Sequence, residues 1–161
     1  MIILSFNIRG ISNTPKRVSF KRVLEKVGSN IVLLQETMSS SHPALLAFSK
    51  IHPGWEYCAL SSSGLLGGLL ATWNPRCFKI KAFITMAGIL LKVQVRGSSM
   101  NLSLLNSYGP YSNRESFWNL AAQGGFLSQP NLVLSGDLNL TLSSNEFWGR
   151  KARPDPLAPF F

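Results

Sequence analysis

Apolar positions along the chain follow three rhythms, and each predicts a different kind of element. Helical spacing occurs twice. In "TPKRVSFKRVLEKVG", Phe20, Val23, Leu24 and Val27 recur at i, i+3, i+4 and i+7, with Thr14 placed to cap, Pro15 at the first helical position and Gly28 just past the end. In "SNRESFWNLAAQGG", Ser112 and Glu115 have capping-box spacing, Phe117, Leu120 and Ala121 supply a stripe, and Gly124-Gly125 end it. Short unbroken apolar runs, Ile2–Phe6, Ile31–Leu34 and Leu132–Leu134, predict strands buried on both faces. The centre of the chain alternates instead. Phe78, Ile80, Ala82 and Ile84 are separated by Lys79 and Lys81, and Val93 and Val95 lie among Lys92, Gln94 and Arg96. That period belongs to antiparallel strands with one solvated face. A further strand, "NLSLLNSY", ends at Tyr108. The mixture predicts an α/β fold with a mixed sheet. No repeat, low-complexity segment or linker interrupts it before about Trp148.

Composition sharpens this pattern. The 161 residues suit one domain, and 45% hydrophobic against 14% charged residues imply a buried core. Sixteen Lys+Arg against seven Asp+Glu leave a net charge of +9. That favours a polyanionic partner, nucleic acid or an anionic membrane surface, although solubility alone would be served as well. The first helix carries Lys16, Arg17, Lys21, Arg22 and Lys26 on its other faces, either as a solvated surface or as phosphate contacts. Arg150, Lys151 and Arg153 repeat that choice near the end. The uncharged span Tyr57 to Pro75 is broken by serines and glycines, so no membrane helix or membrane partner is expected. Within it, "GLLGGLL" lacks the GK[ST] of a phosphate-binding loop, and its glycines read as a hairpin or a close backbone approach. Cys58 and Cys77 lack metal or redox spacing and read as buried free thiols of an intracellular protein. The opening "MIILSFNIRG" has no basic n-region or cleavage site, and no targeting segment is visible.

Polar residues stand where the apolar strands stop: Asn7 after "SF", Glu36 after "LLQ", Asp137 and Asn139 in "LSGDLN", and Tyr108 at the end of the fourth strand. Asp137 is one of only two aspartates. Singly, Asn7 could cap a turn, Glu36 a helix, and Tyr108 could be core. In α/β sheets, however, ligands bind beyond the carboxyl ends of strands. Together these carboxylates, amides and a phenol suit a hard metal ion and a phosphate.

The segments "LSFNIRG", "IVLLQET", "LLNSYGPY" and "LVLSGDLNLTLSSNE" resemble, in that order, the motifs of the endonuclease/exonuclease/phosphatase family, over essentially the whole chain. "GGLLATWNP" and "EFWGRKARPDPLAPFF" look most like the plant LINE-type retrotransposon endonucleases. The resemblance implies an α/β/β/α sandwich with mixed sheets and a missing C-terminal part, so that residues 1–161 form a single incomplete domain. It implies Mg²⁺ as cofactor, with Mn²⁺ as an alternative, DNA as partner, and a nuclear compartment as an option. Glu36 resembles the family's metal-binding glutamate and Asn7 the asparagine that helps arrange the metal. Tyr108 matches the tyrosine that contacts the scissile phosphate. Asp137 matches the aspartate that positions and activates water, and Asn139 the residue that stabilises phosphoryl oxygens.

Two departures stand out. Tyr111 occupies a position where apurinic and LINE-type members often have Asn, and the family's closing Ser-Asp-His motif is not present. His42 and His52 read as loop or surface residues, and Asp155 as a solvated turn residue. The tail, closing on Phe160 and Phe161, reads either as docked into the core or as a chain that stops partway through a domain. The implied activity is metal-dependent phosphodiester hydrolysis of DNA. The alternatives are a non-catalytic nucleic-acid-binding remnant of a retrotransposon and a phosphomonoesterase of the same superfamily.

Overall fold

The computed structural model describes residues 1–11, 14–38, 46, 48–62, 67–143, 146 and 155–158. His42, Trp148, Arg150, Lys151, Arg153, Phe160 and Phe161 lie outside them.

Among the described residues these elements follow one another: β1 (Ile3–Asn7), α1 (Thr14–Val27), β2 (Ile31–Gln35), β3 (Glu56–Leu60), β4 (Leu69–Trp73), β5 (Phe78–Thr85), β6 (Gly88–Val95), β7 (Asn101–Tyr108), α2 (Arg114–Gln123) and β8 (Leu132–Asp137). The strands form two four-stranded sheets, ordered β1-β2-β4-β3 and β5-β6-β7-β8. In each sheet the pair that ends at the site is parallel, β1 with β2 and β7 with β8, and every other pairing is antiparallel.

The period of two along each strand sorts side chains between two layers. Ile31 and Leu33 of β2, with Leu69, Ala71 and Trp73 of β4, meet Ile89, Leu91, Val93 and Leu104 from the second sheet in the central core. Val32, Leu34 and Leu70 point outward and pack under Phe20 and Leu24 of α1. Leu90 and Leu105 pack outward under Trp118 and Ala121 of α2. The result is the mixed-sheet α/β/β/α sandwich that the resemblance implied.

Several expectations need correction. Of the three strands expected to be enclosed, only β2 is buried throughout. Strands β1 and β8 are the edges of their sheets, and Ile2, Phe6 and Val133 remain exposed there. Two strands, β3 and β4, escape the sequence pattern altogether, and β4 is fully buried. On α1 only Phe20 and Leu24 are buried, while Val23 and Val27 lie at the exposed margin. On α2 Ala121 is buried and Phe117 partly buried as expected, but Leu120 faces solvent and the fully buried Trp118 takes its place. The capping box is not formed: the N-cap is Asn113, in the left-handed conformation and without a side-chain cap bond. Cys58 and Cys77 are free thiols, half-buried against the central core, and burial pushes the Cys58 thiol up.

Asp155 is not a solvated turn. Its side chain is 8% exposed, pairs with the Arg114 guanidinium at 2.5 Å, and accepts from the Leu157 and Thr141 amides. Burial pushes this carboxyl up, but the Leu157 amide, Arg114 and the Thr141 amide together hold it below its ordinary value.

Candidate active site

Parallel pairing brings strand ends to the same pole. Asn7 is paired with Gln35 across β1 and β2, and Tyr108 with Asp137 across β7 and β8. Alternation then turns Asn7, Gln35, Asn106, Tyr108 and Asp137 toward the gap between the sheets. Glu36 follows directly after β2.

Asn7 joins the two sheets. Its Nδ2 donates to Glu36 Oε1 and to Asp137 Oδ2, both at 2.9 Å, so those two carboxylate oxygens lie at most twice that distance apart. The Arg9 amide donates to Asn7 Oδ1 at 3.2 Å, which fixes which end of the side-chain amide faces the carboxylates. Tyr108 Oη donates to the same Glu36 oxygen at 2.8 Å and sits 3.2 Å from Tyr111 Oη. Both hydrogen bonds to Glu36 fall on Oε1, leaving Oε2 without a protein partner among the described residues. The Asn139 amide donates to Asp137 Oδ1 at 3.2 Å, and its side-chain Nδ2 donates to Gly109 O. All five residues named from the sequence therefore converge.

The backbone is shaped to allow this. Glu36 has φ 51 and Asn139 φ 51, a left-handed conformation that an L side chain adopts at some cost. Glu36 is held there by the Gly10 amide on its carbonyl at 2.6 Å. Gly67 passes so near that a Cβ on it would meet Glu36 Cα at 2.9 Å, the close approach expected of the glycine-rich stretch. Gly136 (φ 134) does the same before Asp137, where a Cβ would lie 1.8 Å from Ser107 O.

Burial separates the two halves of the site. Glu36 is 7% and Tyr108 5% exposed, whereas Asn7 and Asp137 are half-buried beside an open cleft of about 440 Å³, lined also by Ser5, Leu138 and Leu140. Burial first, then the hydrogen bonds with Tyr111 and Glu36, pushes the Tyr108 phenol far above its ordinary value. It stays a neutral donor at any physiological pH.

Three contributors were not singled out in the sequence. Gln35 Nε2 donates to Asn106 Oδ1 at 2.7 Å, and Asn106 Nδ2 donates to the Leu34 and Leu70 carbonyls. This buried bridge clamps the sheets together one layer beneath the carboxylates. A lone amide inside each of two apolar runs was the available signal. Tyr111, noted only as a departure, places its hydroxyl on that of Tyr108. His52 is in a loop as expected but only half-exposed, stacked 4.3 Å from the Trp55 ring; burial lowers its pKa.

A family model described as the Endonuclease/Exonuclease/phosphatase family matches residues 4–158. The chain belongs to this family. Among curated proteins nothing matches it. Solved structures of the family fold do. A humanized D. rerio TDP2 is 16% identical, with TM-score 0.65, over 86% of this chain and 62% of the other. The AP endonuclease LMAP from Leishmania major is 14% identical, with TM-score 0.62, over 92% and 58%. The endonuclease domain of TRAS1, a telomere-specific non-LTR retrotransposon, is 15% identical, with TM-score 0.63, over 98% and 67%. The chain thus spans about three-fifths of the first two of these relatives.

The residues present fit a divalent cation of the hard type. Mg²⁺ is held through one or two carboxylates, keeps several waters and takes its remaining oxygens from a substrate phosphate. Glu36 offers an oxygen that no protein group among the described residues occupies, and Asp137 stands beside it. Among the described residues no group of three His, Cys, Asp or Glu forms a closed metal cage. No helix among them is long and apolar enough to cross a membrane.

Proposed function

We propose that this chain carries the first part of a metal-dependent phosphodiesterase site acting on DNA, of the LINE-type retrotransposon kind. The observation that carries the reading is the Asn7 amide shared between Glu36 and Asp137, with Tyr108 on the same Glu36 oxygen. Glu36, positioned by the Asn7 amide, would hold Mg²⁺ or Mn²⁺, which when bound neutralises charge on the phosphoryl oxygens. Asp137, kept near Asn7 and the Asn139 amide, orients and deprotonates the attacking water. Tyr108, a phenol that does not ionise, and Asn139 donate to the phosphoryl oxygens as charge develops. The similarity to an AP endonuclease and a retrotransposon endonuclease supports DNA as substrate, as does the net charge of +9.

In the same reading, residues 1–161 form one incomplete domain whose remaining catalytic groups, a histidine among them, come from further polypeptide. Support comes from the exposed apolar edges at β1 and β8 and from the length of the relatives. The test is nicking of supercoiled plasmid with Mg²⁺. The 161-residue chain should nick near background, because losing one catalytic group costs about 10²–10⁴-fold. A chain extended with a family segment bearing Ser-Asp-His should nick, and Asp137→Asn within it should abolish nicking. Nicking by the 161-residue chain that survives Asp137→Asn would overturn the reading.

A further inference from the structure

The outer face of the second sheet holds a second candidate site. A recess of about 370 Å³ opens there, lined by Lys79, Lys81, Lys92, Gln94, Asn101 and Ser103. Asn101 begins β7 and Tyr108 ends it, so the recess lies roughly 24 Å along that strand from the candidate active site.

Its charges have no ion-pair partner among the described residues. In the β5–β6 register Lys81 stands directly opposite Lys92, and Lys79 opposite Gln94. Like charges directly opposite across a strand pair are destabilising. Lys92 is half-buried, and its ammonium is fixed by two neutral acceptors, Ser103 Oγ at 3.0 Å and Gln129 Oε1. No carboxylate lines the recess, and neither ion pair among the described residues, Lys21–Glu25 or Arg114–Asp155, involves these lysines. Three lysines therefore line one recess, with the Lys92 ammonium positioned in advance and with Gln94 exposed at the rim.

We propose that this recess binds a phosphoryl oxyanion. Three point charges around a concave wall match a group that carries several acceptor oxygens and up to two negative charges. Arg is favoured for planar bidentate pairing, whereas lysines serve as point charges around phosphate. The phosphoryl group is either a free phosphate or the backbone of a nucleic acid, and the two are separable by experiment. This site does not depend on the catalytic reading, since it shares no residue with it.

Amide NMR of the ¹⁵N-labelled 161-residue chain tests it, with inorganic phosphate and an oligothymidine 12-mer as probes and sodium chloride at matched ionic strength as reference. Phosphate should give saturable shifts centred on residues 79–81, 92–94 and 101–103. Lys81→Ser should weaken binding about tenfold, the effect of losing one charged hydrogen bond, and Lys81→Arg should retain most of it. Both changes are at an exposed side chain, and unchanged shifts elsewhere verify the fold. Saturation by the 12-mer at lower concentration than by phosphate assigns the site to nucleic-acid backbone, and saturation by phosphate alone assigns it to a free phosphate. Shifts no different from those with chloride, or equal in Lys81→Ser, overturn the proposal.

Discussion

The enclosed strands β2 and β7 and the edge strands β1 and β8 supply the two halves of one site, yet they sit in different surroundings. Gln35 and Glu36 close β2, and Asn106 and Tyr108 close β7; all four are nearly inaccessible, cross-bonded and backed by side chains with no exposure, such as Leu33 and Leu104. Asn7 and Asp137 come from strands at the edges of the two sheets among the described residues, beside exposed Ile2, Phe6 and Val133. An apolar strand left at an edge is a surface that pairs with further chain. The difference teaches that the site has two unlike halves: the enclosed one is fixed by packing and cross-strand hydrogen bonds, and the one on the edge strands stays open to solvent.

Substitution should expose that division most strongly in the core. Leu104→Ala, at a site with 0% exposure, is expected to lower unfolding free energy by about 3–5 kcal/mol, and Val133→Thr, 45% exposed, by about 0.5 kcal/mol or less. Chemical denaturation of the two variants checks this, and equal losses would erase the contrast. Asn106→Ala should come next, at about 2–3 kcal/mol, because it removes the shortest acceptor of the Gln35 amide and the buried donor to the Leu34 and Leu70 carbonyls. Gln35→Ala measured alone and with Asn106→Ala should be strongly non-additive, as expected of one shared bridge.

Much of this was legible in the pattern of the chain, and the reasons differ by element. Helix α1, the start of β5 and the end of β6 follow their periods because each has one buried and one solvated face there. β4, "LLATW", has no solvated face to impose a rhythm, and β3, "EYCAL", is too mixed to show one. β1 and β8 read as enclosed because their residues are apolar, but a strand's composition does not say whether its edge is covered. The site residues were readable because polar groups at the ends of apolar runs are conspicuous. Asp155 was not, since its partner Arg114 lies 41 residues earlier in the chain.

That pair gives a smaller, pH-dependent effect. The folded Asp155 carboxyl sits below its ordinary value of 3.8, so the unfolded chain binds its proton more readily. Its contribution is complete at neutral pH, begins to fall as pH drops toward 3.8, and is lost once pH passes below the folded value. Arg114→Ala should flatten that part of the acid-stability curve, measured by thermal unfolding from pH 6 to pH 2.

The central claim is that Asn7, Glu36, Tyr108 and Asp137 from four strands make one cation and phosphate site. Paramagnetic Mn²⁺ titrated into the ¹⁵N-labelled chain reads this without relying on turnover. Broadening should begin at residues 7, 36, 108 and 137 and their immediate neighbours, be displaced by excess Mg²⁺, and weaken at least tenfold in Glu36→Gln, which removes the carboxylate charge from the site. Broadening that begins elsewhere, or that is unchanged in Glu36→Gln, would contradict the claim.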